Sequence, residues 1–309
     1  MLSEFSLIDK FFKNATSQNP NTRLGIGDDC ALLSIPAGYE LAITTDTMVE
    51  NVHFFSDANP AQLGHKLLAV NLSDLAAMGA QPLAVTLALT LPQVNETWLR
   101  EFATGFSNLA REFSVDLIGG DTTKGALTLT LQAMGLVPNG KALKRSTAKS
   151  GDLIFMTGFL GDAGLGLKIK QGFASDSQNA LLRFHAPMPR IETGSALLGV
   201  ANSCIDISDG LASDLSHILK QSGVGATLDY EKLPLSNAVK NYIEQTGDFQ
   251  MPLISGDDYE LCFTVAPENI ARVPENCTQI GIIESTHGLH LKRAGEIEIL
   301  TVKGYEHFS

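Results

Sequence analysis

Asn71-Leu72-Ser73-Asp74-Leu75-Ala76-Ala77-Met78-Gly79-Ala80 ends one element of this chain and leads into another. From Gln62 to Met78 the apolar residues Leu63, Leu67, Val70 and Leu75 recur at helical spacing. Asn71, Ser73 and Asp74 interrupt that face with polar groups, which points to function rather than packing. Immediately downstream, Pro82-Leu83-Ala84-Val85-Thr86-Leu87-Ala88-Leu89-Thr90-Leu91 is a nearly continuous apolar run, the pattern of a strand buried on both faces. A helix feeding a buried strand is the unit of an α/β or α+β fold.

The same alternation extends in both directions. Leu41 to Thr45 reads as a short strand ending at Asp46, and Phe5, Ile8, Phe11 and Phe12 mark a short amphipathic helix at the N-terminus. Trp98 to Phe113 is a second amphipathic helix built on Leu99, Phe102, Phe106, Leu109 and Phe113. Val115 to Ile118 is a strand that stops at Gly119-Gly120-Asp121, and Leu127 to Val137 is the next. Pro138 through Asp152 is rich in turn formers and basic groups, so a domain boundary is expected there, dividing the chain into 1–138 and 149–309. Leu153 to Thr157 then runs into the glycine-rich stretch Gly158 to Leu167. Ser208-Asp209-Gly210-Leu211 opens a helix with Leu211, Leu215, Ile218 and Leu219 on one face, its Ser and Asp serving as N-terminal residues. Leu261 to Val265 is a further strand.

With 309 residues, 44% of them apolar, the chain has material for two ordinary domains. A net charge of −12 argues against a general nucleic-acid binder, which needs a basic footprint. Four cysteines, Cys30, Cys204, Cys262 and Cys277, lie far apart and form no CxxC pair, so a zinc site of ordinary spacing is absent. Reduced thiols, no signal peptide and no membrane-length apolar run give the expectation of a cytoplasmic protein.

Six acidic motifs are spread along the sequence: Gly27-Asp28-Asp29, Thr44-Thr45-Asp46-Thr47, Leu72-Ser73-Asp74, Gly119-Gly120-Asp121, Asp206-Ile207-Ser208-Asp209-Gly210 and Gly256-Asp257-Asp258. Asp beside Gly is an ordinary turn pair, and Asp209 alone would be a helix cap. Recurrence at the ends of apolar runs is what suggests convergence. Two carboxylates about 4 Å apart repel by roughly 4 kcal/mol at an effective dielectric near 20, so a gathered set calls for cations. Mg²⁺ shared with a nucleotide polyphosphate suits oxygen ligands of this kind. His53 is either a core histidine or a substrate contact. Arg145 is either solvated linker or a phosphate clamp. The glycines from Gly158 to Gly166 either cradle phosphate or make a tight turn. There is no P-loop, protein-kinase motif set, HExxH or GxSxG.

In order, Gly25-Ile26-Gly27-Asp28-Asp29-Cys30-Ala31, Thr44-Thr45-Asp46-Thr47, Asn71 through Ala80, Ile118-Gly119-Gly120-Asp121-Thr122-Thr123, Asp206 through Leu211 and Gly256-Asp257-Asp258-Tyr259-Glu260-Leu261 resemble the thiamine-monophosphate kinase family of the PurM-like ATP-binding superfamily. The resemblance covers essentially the whole chain. It implies a PurM-like two-domain fold, with an N-terminal mixed sheet that pairs with its twin in a homodimer and a C-terminal α/β domain that closes over the nucleotide. It implies ATP-dependent phosphorylation of thiamine monophosphate to thiamine diphosphate. Asp29, Thr44, Thr45, Asp46, Asp74, Asp121, Asp206 and Asp209 would hold several Mg²⁺ ions; Gly120, Asp121, Arg145, Ser208 and Phe113 would contact ATP; His53, Asp257 and Tyr305 would face thiamine phosphate. Two departures are visible: the family usually reads Glu where this chain has Asp257, and often Tyr where it has Phe113. No general base is expected, because a phosphate monoester with a second pKa near 6 is already mostly ionised at pH 7. Direct transfer without a phosphoenzyme follows. The rivals are another ATP-using PurM-like enzyme, of the aminoimidazole-ribotide synthetase or selenophosphate synthetase type, and a non-catalytic nucleotide-binding regulator.

Overall fold

The computed structural model describes residues 4–13 and 19–301. The elements run α1 (Glu4–Phe11), β1 (Thr22–Leu24), β2 (Leu32–Leu33), β3 (Tyr39–Val49), α2 (Pro60–Ala77), β4 (Gln81–Leu91), α3 (Glu96–Glu112), β5 (Asp116–Lys124) and β6 (Thr128–Pro138). They continue with β7 (Leu153–Thr157), α4 (Asp162–Lys170), α5 (Gln178–His185), α6 (Ile191–Ala196), β8 (Ser203–Asp206), α7 (Leu211–Ser222), β9 (Gly225–Asp229), α8 (Asn237–Thr246), α9 (Met251–Ile254), β10 (Leu261–Val265), β11 (Cys277–Glu284), β12 (Gly288–Arg293) and β13 (Glu296–Ile299). Two compact units emerge: Met1–Leu75 with Ala80–Gly140, and Ala76–Gly79 with Lys141–Ser309.

The first unit is built on a four-stranded sheet in the order β3-β6-β4-β5. β4 and β5 run parallel, with α3 as the crossover between them, and the other pairs are antiparallel. Leu67, Leu68, Leu72 and Leu75 of α2 and Leu99, Phe102, Phe106 and Leu109 of α3 are buried, as are Leu87, Leu89, Leu129 and Leu131 of the sheet. Each such side chain contributes about 1.5–3 kcal/mol when fully buried. The helices meet backbone to backbone: a Cβ at Gly105 would lie 1.8 Å from the Ala61 carbonyl oxygen, so no other residue fits there. In α1, Leu7 and Phe11 are buried, and Phe12 just beyond it is buried too.

Two strands outrun their sequence-based limits. β3 continues past Asp46 to Val49, and β5 continues through Gly119 and Gly120 to Lys124. Glycine does not stop β5, because β4 alongside supplies parallel partners from Ala84 to Leu91, with one register shift between Val85 and Thr86. Alternation along β3 leaves Ile43, 57% exposed, on an open face with Thr45 and Thr47. The row Thr47–Thr130–Ala88–Asp121 crosses that face.

The second unit holds a seven-stranded sheet, β13-β12-β9-β11-β7-β10-β8, antiparallel except for β9 with β12. Ile154, Met156, Ile205, Cys262, Ile280 and Leu291 of its strands share one core with Leu211, Leu215, Ile218 and Leu219 of α7. Cys30 is exposed, Cys204 and Cys262 are buried, and all four thiols are unpaired. Among the described residues no helix is long and apolar enough to cross a membrane.

Candidate phosphate and metal site

Strand alternation places Thr44 and Asp46 together on the helix-facing side of β3. There the Thr44 hydroxyl donates to Asp74 Oδ2 in the last turns of α2. Burial, and then the neighbouring Asp74 carboxylate, push the Asp46 carboxyl up to about 7. A carboxyl held that high has its charged form disfavoured by want of a counter-charge. One turn before Asp74, the side-chain oxygen of buried Asn71 lacks a hydrogen-bond partner among the described residues.

Other candidates of this unit lie elsewhere. Thr45 sits on the open face, where it accepts from Gln132 Nε2 at 3.5 Å. Asp121 is exposed on β5, the opposite edge strand from β3. Three strand spacings, roughly 14 Å, separate it from β3, which carries Asp46. No single ion reaches both within one copy of the unit, since Mg²⁺–oxygen distances are about 2 Å. Gly120 is held at φ +153° with its α-carbon so close to β4 that a Cβ would lie 1.9 Å from the Leu87 oxygen. Asp29 is exposed in a turn where its N–H donates to Asp28 Oδ1 at 2.9 Å. Phe113 forms the C-cap of α3. His53 follows β3 in a tight turn; its Nδ1 accepts the Val49 N–H at 3.0 Å. The neutral ring therefore carries its proton on Nε2.

In the second unit, Asp206 ends β8, buried, and Ser208 and Asp209 occupy the loop before α7. The expected cap is not formed by Ser208 or Asp209. Gly210 is the N-cap without a side-chain bond, and the N–H groups of Ser208 and Asp209 both donate to Asp214 Oδ2, each at 3.0 Å. Burial pushes Asp214 up to about 7, with those two N–H groups pulling the other way and the Asp209 charge adding to the rise. On the far side, Ser208 O accepts the Asp257 N–H at 2.9 Å and Ile207 O the Tyr259 N–H at 2.8 Å. Asp257 and Tyr259 both have positive φ, +69° and +49°, and the Tyr259 hydroxyl donates to Asp257 Oδ1 at 3.0 Å. Strain of this kind concentrates at binding sites. Arg145 is exposed, and its carbonyl accepts from Ser222. Tyr305 lies outside the described residues.

The structure separates the two readings of the glycine-rich stretch. The N–H groups of Gly161 and Ala163 donate to fully buried Asp258, at 2.7 and 3.2 Å. Glu260, also fully buried, accepts from Arg183 Nη2 (2.7 Å), Arg190 Nε (2.6 Å), Arg190 Nη2 (2.5 Å) and the Thr157 hydroxyl (2.5 Å). The amides at the start of α4 are thus used internally, and the stretch is a tight turn rather than a phosphate cradle. Asp258 and Glu260 are fold-holding acids; Asp214, Arg183 and Arg190 gave no sequence signal, because their partners are fixed only by tertiary structure.

Among the described residues no three His, Cys, Asp or Glu side chains converge as a metal-binding group. What the fold does bring together, Thr44, Asp46 and Asp74, is a set of hard oxygen donors with excess negative charge, and that set fits Mg²⁺.

Residues 27–137 match the family described as AIR synthase related protein, N-terminal domain, and residues 149–291 match its C-terminal domain. The chain is 47% identical to the thiamine-monophosphate kinase of Escherichia coli (strain K12), covering 99% of this chain and 98% of that one. It superposes with TM-score 0.86 and 41% identity on the crystal structure of thiamine-monophosphate kinase from Stenotrophomonas maltophilia K279a, covering 96% of this chain and 98% of that one. A structure of AaThiL complexed with AMPPCP and TMP matches at TM-score 0.81 and 30% identity, covering 99% of this chain and 97% of that one.

Proposed function

The chain belongs to the thiamine-monophosphate kinase family, and from that premise we propose how its own residues serve the reaction. The reaction is transfer of the terminal phosphate of ATP to thiamine monophosphate, giving thiamine diphosphate. The observation that carries the site assignment is the grouping of Thr44, Asp46 and Asp74, in which Asp46 is held up at about 7 by burial and by Asp74. Those three would hold magnesium first, with Asp29, Thr45, Asp121, Asp206 and Asp209 as further ligands. When bound, the metal supplies charge that relieves repulsion between the donor and acceptor phosphates.

The remaining work is positioning, as phosphoryl transfer demands. The acceptor oxygen is ionised at neutral pH, so no side chain has to remove a proton. His53 fits that requirement: with Nδ1 already accepting from Val49, its Nε2–H is a donor to the substrate phosphate rather than a base. Arg145 offers an exposed guanidinium to the nucleotide phosphates. Ser208 presents a hydroxyl beside it in role, and Gly120 lets backbone approach the phosphates. Asp257 is a carboxylate for the cationic thiazolium ring, aimed by the Tyr259 hydroxyl, and Tyr305 is a further substrate contact. Phe113 keeps an aromatic face for the nucleotide and lacks the hydroxyl common in the family.

A homodimer is part of the same reading. The open sheet face with Ile43 at 57% exposure supports it, and a second copy would give the opposite-edge Asp121 a site to complete. Domains at 1–138 and 149–309 and a cytoplasmic location belong to it too, the latter supported by four unpaired thiols.

The test is turnover. Protein, ATP, Mg²⁺ and thiamine monophosphate should yield one thiamine diphosphate per ADP, with no labelled phosphate trapped on the protein. ATP consumption without thiamine diphosphate, or a stable phosphoprotein on the path, overturns the reading.

A further inference from the structure

We infer that Asp214 is the positioning residue of the ATP-contacting loop: its buried carboxylate, by accepting the N–H groups of Ser208 and Asp209, sets where Ser208 and Asp209 stand. The inference rests on the proposed placement of that loop at the nucleotide and goes one layer beneath it.

The geometry leaves Asp214 no other part. It is 2% exposed, so neither nucleotide nor metal reaches it, and a single oxygen, Oδ2, takes both N–H groups at 3.0 Å. The N-cap Gly210 makes no side-chain cap bond to the loop. Asp214 sits in the first turn of α7, where a carboxylate is favoured by the helix dipole, and α7 is itself fixed by buried Leu211, Leu215 and Ile218. The core around α7 thus reaches the N–H groups of Ser208 and Asp209 through this carboxylate. On the loop's other side the N–H groups of Asp257 and Tyr259 donate to the Ser208 and Ile207 carbonyls. Those residues have separate anchors, because Asp258 holds the Gly161 turn and Glu260 is gripped by Arg183 and Arg190. Loss of Asp214 should therefore loosen Ser208 and Asp209 while leaving Asp257 in place.

Kinetics and amide exchange test this together. Asp214→Ala should lower kcat/KM for ATP roughly 100-fold, the size of effect a misplacement of about 1 Å produces. The loss should appear in both kcat and KM for ATP, with KM for thiamine monophosphate unchanged. A purely structural role would reduce the folded fraction, lowering apparent kcat and moving neither KM. Asp214→Asn keeps an oxygen acceptor of the same reach and should stay within about tenfold of the parent. In the protein without nucleotide, the Ser208 and Asp209 amides should exchange faster in Asp214→Ala and remain protected in Asp214→Asn. If Asp214→Ala fails to fold, Asp214→Asn decides: a folded, inactive Asn variant with undisturbed amide protection overturns the anchoring role. Asp209→Asn separates the layers. Full activity there refutes the loop's place at the nucleotide, whereas an inactive Asp209→Asn beside an Asp214→Ala with parental KM for ATP refutes the inference alone.

Discussion

Replacing Glu260 by Gln should cost the second unit much of its stability. The side chain is fully buried and receives three guanidinium bonds and one hydroxyl. Arg183 and Arg190 are only 18% and 29% exposed, so neither can turn freely to water. Glutamine keeps the shape but brings no charge, and its NH₂ faces donors. Breaking one partner of a buried ion pair costs about 3–5 kcal/mol, against a total stability of about 5–15 kcal/mol for a typical domain. For a unit of this size that corresponds to a Tm lower by roughly 6–20 °C. Calorimetry or urea unfolding measures it directly. Adding Arg190→Met to Glu260→Gln should recover part of the loss, because the stranded guanidinium goes with it. A loss under about 1 kcal/mol, the level of an exposed ion pair, would refute the reasoning.

Three further outcomes are expected. Asp74→Asn should cut kcat roughly 10²–10³-fold while leaving the fold intact; in metal-free protein it should also bring the Asp46 carboxyl down from about 7, though not to its ordinary value, because burial is the larger cause, and NMR titration reads this. Asp258 has a value of about 8 when folded against 3.8 ordinarily, so between those pH values the folded chain holds a proton the unfolded chain has shed. Its contribution is full below 3.8 and drains away as pH rises to 8; Asp258→Asn lacks that slope, so its stability relative to the parent should rise across the window in denaturant titrations. Gly105→Ala forces a methyl against the Ala61 carbonyl and should destabilise the first unit by about 1–3 kcal/mol or more, with wild-type stability counting against the close α2–α3 crossing.

Much of the fold is legible in local pattern. β7 begins and ends where the apolar run Leu153 to Thr157 does, and α2 and α3 lie within two residues of their apolar periodicity. Misread boundaries share a cause: glycine and aspartate look like terminators when seen alone. β5 runs on through Gly119-Gly120-Asp121 because its neighbour β4 keeps supplying partners. Ser208 and Asp209 resemble caps, yet Gly210 is the N-cap, and the N–H groups of Ser208 and Asp209 are held by a carboxylate further along the chain. The site was legible only in part, because Asp74 beside Thr44 is a contact across 30 residues. Glu260 and its arginines are more hidden still. They lie 70 and 77 residues apart in sequence, and nothing in spacing marks them as partners.

The unequal burial of the four thiols makes selective labelling practicable. Cys204 and Cys262 are shut inside the second unit, and burial pushes both far from ionising, while Cys277 is pushed up to about 11. Cys30 alone of the four is exposed, so a maleimide dye at neutral pH should attach there first. That fluorophore would sit one residue from Asp29, where quenching on addition of magnesium or nucleotide would report occupancy in real time without any coupled assay.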